Sequence, residues 1–165
     1  MSTGFVVSFA IGVTPGKWAC TWNERMPQHP LELHQASTPL ADVLTDSADV
    51  ALARLEVEPL DESLSVIPLY REAPFVVAPK GHVFEALDSV TLAELSDENP
   101  IEVDPLDPNA AVELVAANVG VAVMPQSVAR ALSRRDVIAR PVTDAAETTI
   151  ALAWLTANTL SLIHI

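Results

Sequence analysis

The sequence contains a single cysteine and few aromatic residues. Because Cys20 is the one thiol among the 165 residues, no disulfide and no multi-cysteine metal site can form within them. Aromatic residues make up only 5%, whereas the hydrophobic fraction is 50% and consists mostly of Ala, Val and Leu. This composition favours short buried parallel strands covered by helices of small residues, and it disfavours an aromatic-rich β-sandwich.

Basic residues are also scarce. The chain has 9 Lys and Arg against 22 Asp and Glu, so its formal charge is −13. A surface of this sign is repelled by phosphate backbones, and four arginines late in the chain, at positions 130, 134, 135 and 140, are interpreted as a solvated helix end. The sequence therefore predicts no direct binding to nucleic acid.

Long apolar runs and metal-ligand spacings are missing as well. The first apolar segment follows no basic region and is interrupted by Gly12 and Pro15, so neither a signal peptide nor a membrane span is predicted, and the expected compartment is the cytoplasm. The four histidines show no metal-ligand spacing and no paired acidic residues. We therefore expect no metal, no cofactor and no catalytic residue.

The segments that are present alternate between strand and helix. Strands are predicted at 5–11, 31–34 and 49–55, and they are separated by helices. The first helix is expected to begin with Thr14 as N-cap and Pro15 as its first residue, and to pack Trp18, Trp22 and Met26 on the sheet. The second helix is expected to have Ser37 or Thr38 as its cap and to end near Ser47. This order predicts an α/β fold with a parallel sheet.

The rest of the chain predicts a second lobe after an acidic loop at 56–63. Further strands are expected at 65–70, 74–79, 121–124, 137–142 and 149–154, with helices at 90–95, 110–117 and 125–132. A chain that leaves one sheet, builds a second and returns forms two lobes joined by a two-strand hinge. We place lobe 1 at about 1–66 and 143–165, and lobe 2 at about 67–142, with a ligand cleft between them.

Six phrases in order resemble the effector-binding domain of LysR-type transcriptional regulators. They are 27–33 (PQHPLEL), 47–54 (SADVALAR), 67–72 (IPLYRE), 77–82 (VAPKGH), 90–95 (VTLAEL) and 115–125 (VAANVGVAVMP). The resemblance implies the type II periplasmic-binding-protein-like fold, a small-molecule effector and a dimer. The sequence is expected to depart from the family's pattern in three places: no winged helix-turn-helix segment precedes the domain, the second lobe is reduced between residues 100 and 112, and the tail after residue 155 lacks the family's long helix.

Thr14 is the first candidate ligand contact. It lies where a strand is followed by a helix, so its hydroxyl and the next amides suit a carboxylate. The alternative is that Thr14 only caps the helix. The resemblance favours the ligand role, and it extends the candidate site to the neighbouring Pro15 and to Pro79, which ends a strand of the second lobe.

Arg54 and Thr38 complete the candidate site. Arg54 ends an apolar strand, and its guanidinium either binds an anion or forms an ion pair with Glu56 at the rim. Thr38 begins the second helix and is a weaker candidate of the same kind as Thr14.

These features lead to one main functional hypothesis and two alternatives. The main hypothesis is an effector-sensing domain that takes a small anion, possibly a carboxylate, in the cleft and pairs with itself or with a full-length regulator. The first alternative is a solute-binding protein of a transport system, which shares the fold. The second is a small metabolic enzyme, which is disfavoured because the sequence shows no acid–base pair and no cofactor fingerprint.

Overall fold

The computed structural model describes residues 4–55 and 60–159. In chain order the elements are β1 (Phe5–Phe9), α1 (Gly16–Arg25), β2 (Leu31–Gln35), α2 (Pro39–Leu44), β3 (Val50–Leu55), β4 (Leu64–Glu72), β5 (Pro74–Pro79), α3 (Leu92–Leu95), α4 (Pro108–Ala116), β6 (Ala122–Pro125), α5 (Gln126–Ala131), β7 (Val137–Pro141) and β8 (Thr148–Leu155). Short 3-10 helices span Val83–Ala86 and Thr156–Asn158. The chain divides into two compact units: unit 1 extends to Tyr70 and resumes at Thr149, and unit 2 is Arg71–Thr148.

Unit 1 is built on a five-stranded sheet in the order β2-β1-β3-β8-β4. Strand β1 pairs in parallel with both β2 and β3, which confirms the predicted strand–helix alternation. Strand β8 runs antiparallel to β3, so the sheet is mixed and the prediction of a parallel sheet holds only for its first three strands.

The central strands of this sheet are buried on both faces. Neighbouring residues of a strand point to opposite faces, and Leu52 and Ala51 accordingly belong to different core clusters. Leu52 packs with Val7 and Ile150 in the cluster that includes Ala19 of α1. Ala51 packs in the cluster that includes Val43 of α2. The two helices therefore cover opposite faces of the sheet, which explains the continuous apolar character of β3.

Helix α1 does not use the face expected from its aromatic residues. Trp18 is 42% exposed, and the buried residue of the helix is Ala19. Trp22 packs against the core, where its ring stacks on Phe5 with 5.5 Å between the centroids. The Trp18 ring makes an edge contact with the Trp22 ring, with 5.9 Å between the centroids. The prediction that Trp18 packs on the sheet is therefore wrong.

Unit 2 contains a three-stranded antiparallel sheet in the order β6-β5-β7. Its core includes Val76 and Ala78 of β5 together with Phe84 and Val90 from the segment that follows. Helix α4 buries Ala111, Val112 and Val115 along one side. Among the described residues, no helix of either unit has the length and apolar character to cross a membrane.

Two helix starts in unit 2 differ from the sequence prediction. Thr91 caps α3 in a capping box with Glu94, so this helix begins two residues later than expected. Asp107 caps α4 by accepting a hydrogen bond from the amide of Ala110 at 3.3 Å, and Pro108 is the first helical residue. Helix α4 therefore begins two residues earlier than predicted, with proline at a position where no intrahelical donor is needed.

Candidate functional site

The turn between β1 and α1 is the first part of the candidate site. Gly12 adopts a left-handed conformation with φ of 87°, and the amide of Val13 donates to the carbonyl of Ala10 at 3.2 Å. Helix α1 begins at Gly16 with Pro15 as N-cap, and the Pro15 carbonyl accepts from Ala19 at 2.9 Å. The predicted helix start was wrong by one residue, since Pro15 is the N-cap and not the first helical residue.

This shift changes the interpretation of Thr14. The residue precedes the cap, its side chain is exposed, and within the described residues its hydroxyl forms no hydrogen bond with the helix. The capping role weighed for Thr14 is therefore wrong. Thr14 lies two residues before Gly16, whose amide is the first of the helical amides that have no acceptor inside the helix. Pro15, in contrast, is buried.

Arg54 contacts the same turn from β3. Its side chain is half-buried, and Nη2 donates to the carbonyl oxygen of Ile11 at 3.2 Å. The two residues are 43 positions apart, and the pairing of β1 with β3 brings them together. The guanidinium charge is therefore held beside the β1–α1 turn. Glu56, the other partner considered for Arg54, lies outside the described residues.

Thr38 lies on the neighbouring connection, between β2 and α2. It is the N-cap of α2 as predicted, yet its exposed side chain makes no capping bond to the helix. The amide of Ala36 donates to the carbonyl of Phe9 at 3.0 Å, so this connection lies beside the end of β1. Because β1, β2 and β3 are parallel, their carboxyl ends share one edge of the sheet. Thr14, Thr38 and Arg54 follow or end these strands, at the edge where open α/β sheets bind ligands.

Pro79 is the candidate residue that belongs to unit 2. It ends β5, where it pairs with Val137 of β7. It also lines an open depression of about 550 Å³ together with residues of α4 and of the segment before β7. The candidate residues thus divide between the units, with Pro79 in unit 2 and the other four in unit 1.

Sequence reasoning missed the contact that positions α2. Ser8 is fully buried in β1, and its Oγ donates to Oδ2 of Asp42 on α2 at 2.6 Å. A serine inside the apolar run 5–11 was the available signal, because a buried hydroxyl requires a partner. Among residues 4–55 and 60–159, no group of three or more His, Cys, Asp and Glu side chains is arranged to hold a metal ion.

Comparison with known proteins gives one family match. The family described as LysR substrate binding domain matches residues 17–107 of the chain. No curated protein sequence matches.

Solved structures match over nearly the whole chain. A point mutant of the OxyR regulatory domain from Pseudomonas aeruginosa is 16% identical with a TM-score of 0.71, and the match covers 99% of this chain and 94% of that one. The BenM effector binding domain with its effector benzoate is 18% identical with a TM-score of 0.72, covering 94% and 85%. The oxidised form of OxyR is 18% identical with a TM-score of 0.75, covering 98% and 91%. These matches show the type II periplasmic-binding-protein-like fold, as predicted.

Proposed function

The chain belongs to the LysR substrate-binding domain family, and from this premise we propose that it senses a small effector for a LysR-type transcriptional regulator. The family match favours a regulatory domain over the solute-binding protein of a transport system, which shares the fold. In the proposed role the domain works in the cytoplasm, binds without chemical turnover, and transmits ligand occupancy to the partners of the regulator.

We propose that the effector is a small carboxylate and that it contacts unit 1 at the β1–α1 turn. The observation that carries this proposal is the position of the Arg54 guanidinium, whose Nη2 lies 3.2 Å from the carbonyl oxygen of Ile11 in that turn. The exposed Thr14 hydroxyl and the first amides of α1 add neutral donors at the same place. A cation together with oriented donors suits a carboxylate better than a neutral ligand. BenM, a neighbour with the same fold, is described with benzoate as its effector.

Thermal unfolding with a panel of small carboxylates, benzoate among them, tests this proposal. A ligand at one hundred times its Kd adds about 2.7 kcal/mol to the free energy of unfolding. For a chain of this length that corresponds to a rise in Tm of roughly 5–10 °C. Thr14→Val should remove most of this rise, while leaving the Tm without ligand unchanged because the hydroxyl makes no bond to the helix.

Thr143→Val is the matched control, because Thr143 is an exposed threonine of unit 2. A ligand-induced rise that is equal in wild type and both variants would remove Thr14 from the site. If no small carboxylate raises the Tm of the wild-type chain, the proposed ligand class is wrong.

The partner in the proposed role is a second copy of the chain or a full-length regulator. Ligand changes such an association only through different affinities for the two association states. Sedimentation of the folded chain, with and without ligand, measures whether it pairs with a second copy. The same measurement with an added full-length regulator shows whether the regulator is the partner.

A further inference from the structure

The depression in unit 2 has features that effector sensing at the β1–α1 turn does not use. It is bounded by the end of β5, the last turn of α4 and the segment between α5 and β7, and its volume is about 550 Å³. Small-molecule sites have volumes of about 300–1,000 Å³, so a compact ligand fits. From its charges and donors, we propose that this depression binds a small anion with two or more negative charges, such as a phosphate or a polycarboxylate.

Backbone hydrogen bonds define the walls of the depression. The amide of Lys80 donates to the carbonyl of Asp136 at 3.0 Å, which joins the end of β5 to the segment before β7. On the opposite wall, Asn118 adopts a left-handed conformation with φ of 67°, and its amide donates to the carbonyl of Val115 at 2.9 Å. The side chains around the depression are therefore carried by a fixed backbone.

The charges of the lining residues leave a positive excess. The carboxylate of Asp136 is bound by Arg134, whose Nε and Nη2 lie 3.0 and 2.9 Å from its two oxygens. This pair cancels its own charge. Lys80 and Arg135 also line the depression, and neither forms an ion pair or side-chain hydrogen bond with the residues that the structure describes.

Helix α4 opposes this excess only in part. Its carboxyl end lies at the depression through Ala116 and Ala117, and a helix end of this kind is equivalent to roughly half a negative charge. The two cations exceed it, so a net positive charge remains in a chain whose formal charge is −13. A multiply charged anion would interact with both cations at once, and the side-chain amide of Asn118 could add a neutral donor.

Titration of the ¹⁵N-labelled chain with sodium phosphate, and separately with citrate, tests the proposal at constant ionic strength. We expect saturable shifts of the amide signals of Lys80, Asn118 and Arg135, with a Kd of the order of millimolar because both cations are exposed. The double variant Lys80→Gln/Arg135→Gln should weaken binding at least about fivefold. Arg25→Gln, an exposed charge removal in unit 1, should leave the Kd unchanged.

The two titrations also separate the ligand sources. Saturation by phosphate alone assigns a phosphate ligand, and saturation by citrate alone assigns a polycarboxylate. Shifts that grow linearly and equally at all basic residues would overturn the proposal, since they report only screening of surface charge. Saturable binding that persists in the double variant would overturn it as well.

Discussion

The hydrogen bond between Ser8 and Asp42 is expected to stabilise the folded chain by an amount that can be estimated from the structure. Helix α2 has six residues, too few to be stable alone, so its position depends on tertiary contacts. The Ser8 hydroxyl is fully buried and donates to the carboxylate of Asp42 at 2.6 Å. Asp42→Ala removes the acceptor, leaves the hydroxyl buried without a partner, and loosens the helix that begins after Thr38.

The loss of unfolding free energy in Asp42→Ala can be estimated from the lost hydrogen bond and from the buried Ser8 hydroxyl. A hydrogen bond to a charged group contributes about 1.5–3 kcal/mol, and a buried donor left unpaired costs about 1–3 kcal/mol. Because these effects overlap, we expect Asp42→Ala to lower the free energy of unfolding by about 2–4 kcal/mol and the Tm by roughly 10 °C. Ser8→Ala should cost only about 1 kcal/mol, since Asp42 is half-buried and water can replace the lost donor.

Urea denaturation of both single variants and of the double variant measures these effects. The double-mutant cycle should give a coupling energy of about 1–2 kcal/mol between Ser8 and Asp42. Glu24→Ala is the control, because Glu24 is an exposed carboxylate on a helix of the same unit. The reasoning is refuted if Asp42→Ala costs no more than Glu24→Ala, or if the cycle shows no coupling.

Two further predictions concern single side chains. Arg140 donates from Nε to the carbonyl of Leu87 at 2.6 Å and from Nη2 to that of Glu85 at 2.8 Å. Arg140→Gln should therefore lower the free energy of unfolding, measured by urea denaturation, by about 2–3 kcal/mol. An unchanged denaturation midpoint would contradict this role. Hydrogen bonds from the Ser63 hydroxyl and amide lower the pKa of Asp61, so Ser63→Ala should raise that pKa in an NMR titration. Because the pKa of Asp61 is lower in the folded state, the stability that the Ser63 bonds contribute is present above the unfolded pKa and is lost as the pH falls through the folded pKa. An unchanged pKa of Asp61 in Ser63→Ala would show that the Ser63 bonds are not the cause of the low value.

Much of the fold could be predicted because its strands are short apolar runs that end at turn residues. The strand Pro74–Pro79 lies where it was expected, since a proline and a polar turn mark its ends. Helix starts were less predictable, because Pro15 is the N-cap of α1 although proline is most common at the first helical position. The antiparallel direction of β8 depends on the edge at which the chain returns to the sheet of unit 1. The residues of β8 themselves do not indicate that edge.

The candidate site could be predicted only as residue types at strand ends. The sequence indicated Arg54 and Thr14 as polar groups near one edge, and their roles as ligand contacts stay predictions. It could not show that Arg54 contacts Ile11, or that Ser8 contacts Asp42, because these pairs are 43 and 34 positions apart and meet only through strand register. The sequence also did not show that Lys80 and Arg135 lie together, because the arginines at 130, 134, 135 and 140 were interpreted as one solvated helix end.

The place of β8 in the sheet has a consequence for synthesis of the chain on the ribosome. Strand β8 lies between β3 and β4, so the five-stranded sheet of unit 1 has no continuous hydrogen bonding until residues near 155 have been made. Unit 2 is one uninterrupted segment, Arg71–Thr148, and all three strands of its sheet precede β8. Domains generally fold as units, the N-terminal one first. In this chain the unit that begins first is the last to have all of its strands synthesised, so unit 2 is the first that can form its complete sheet.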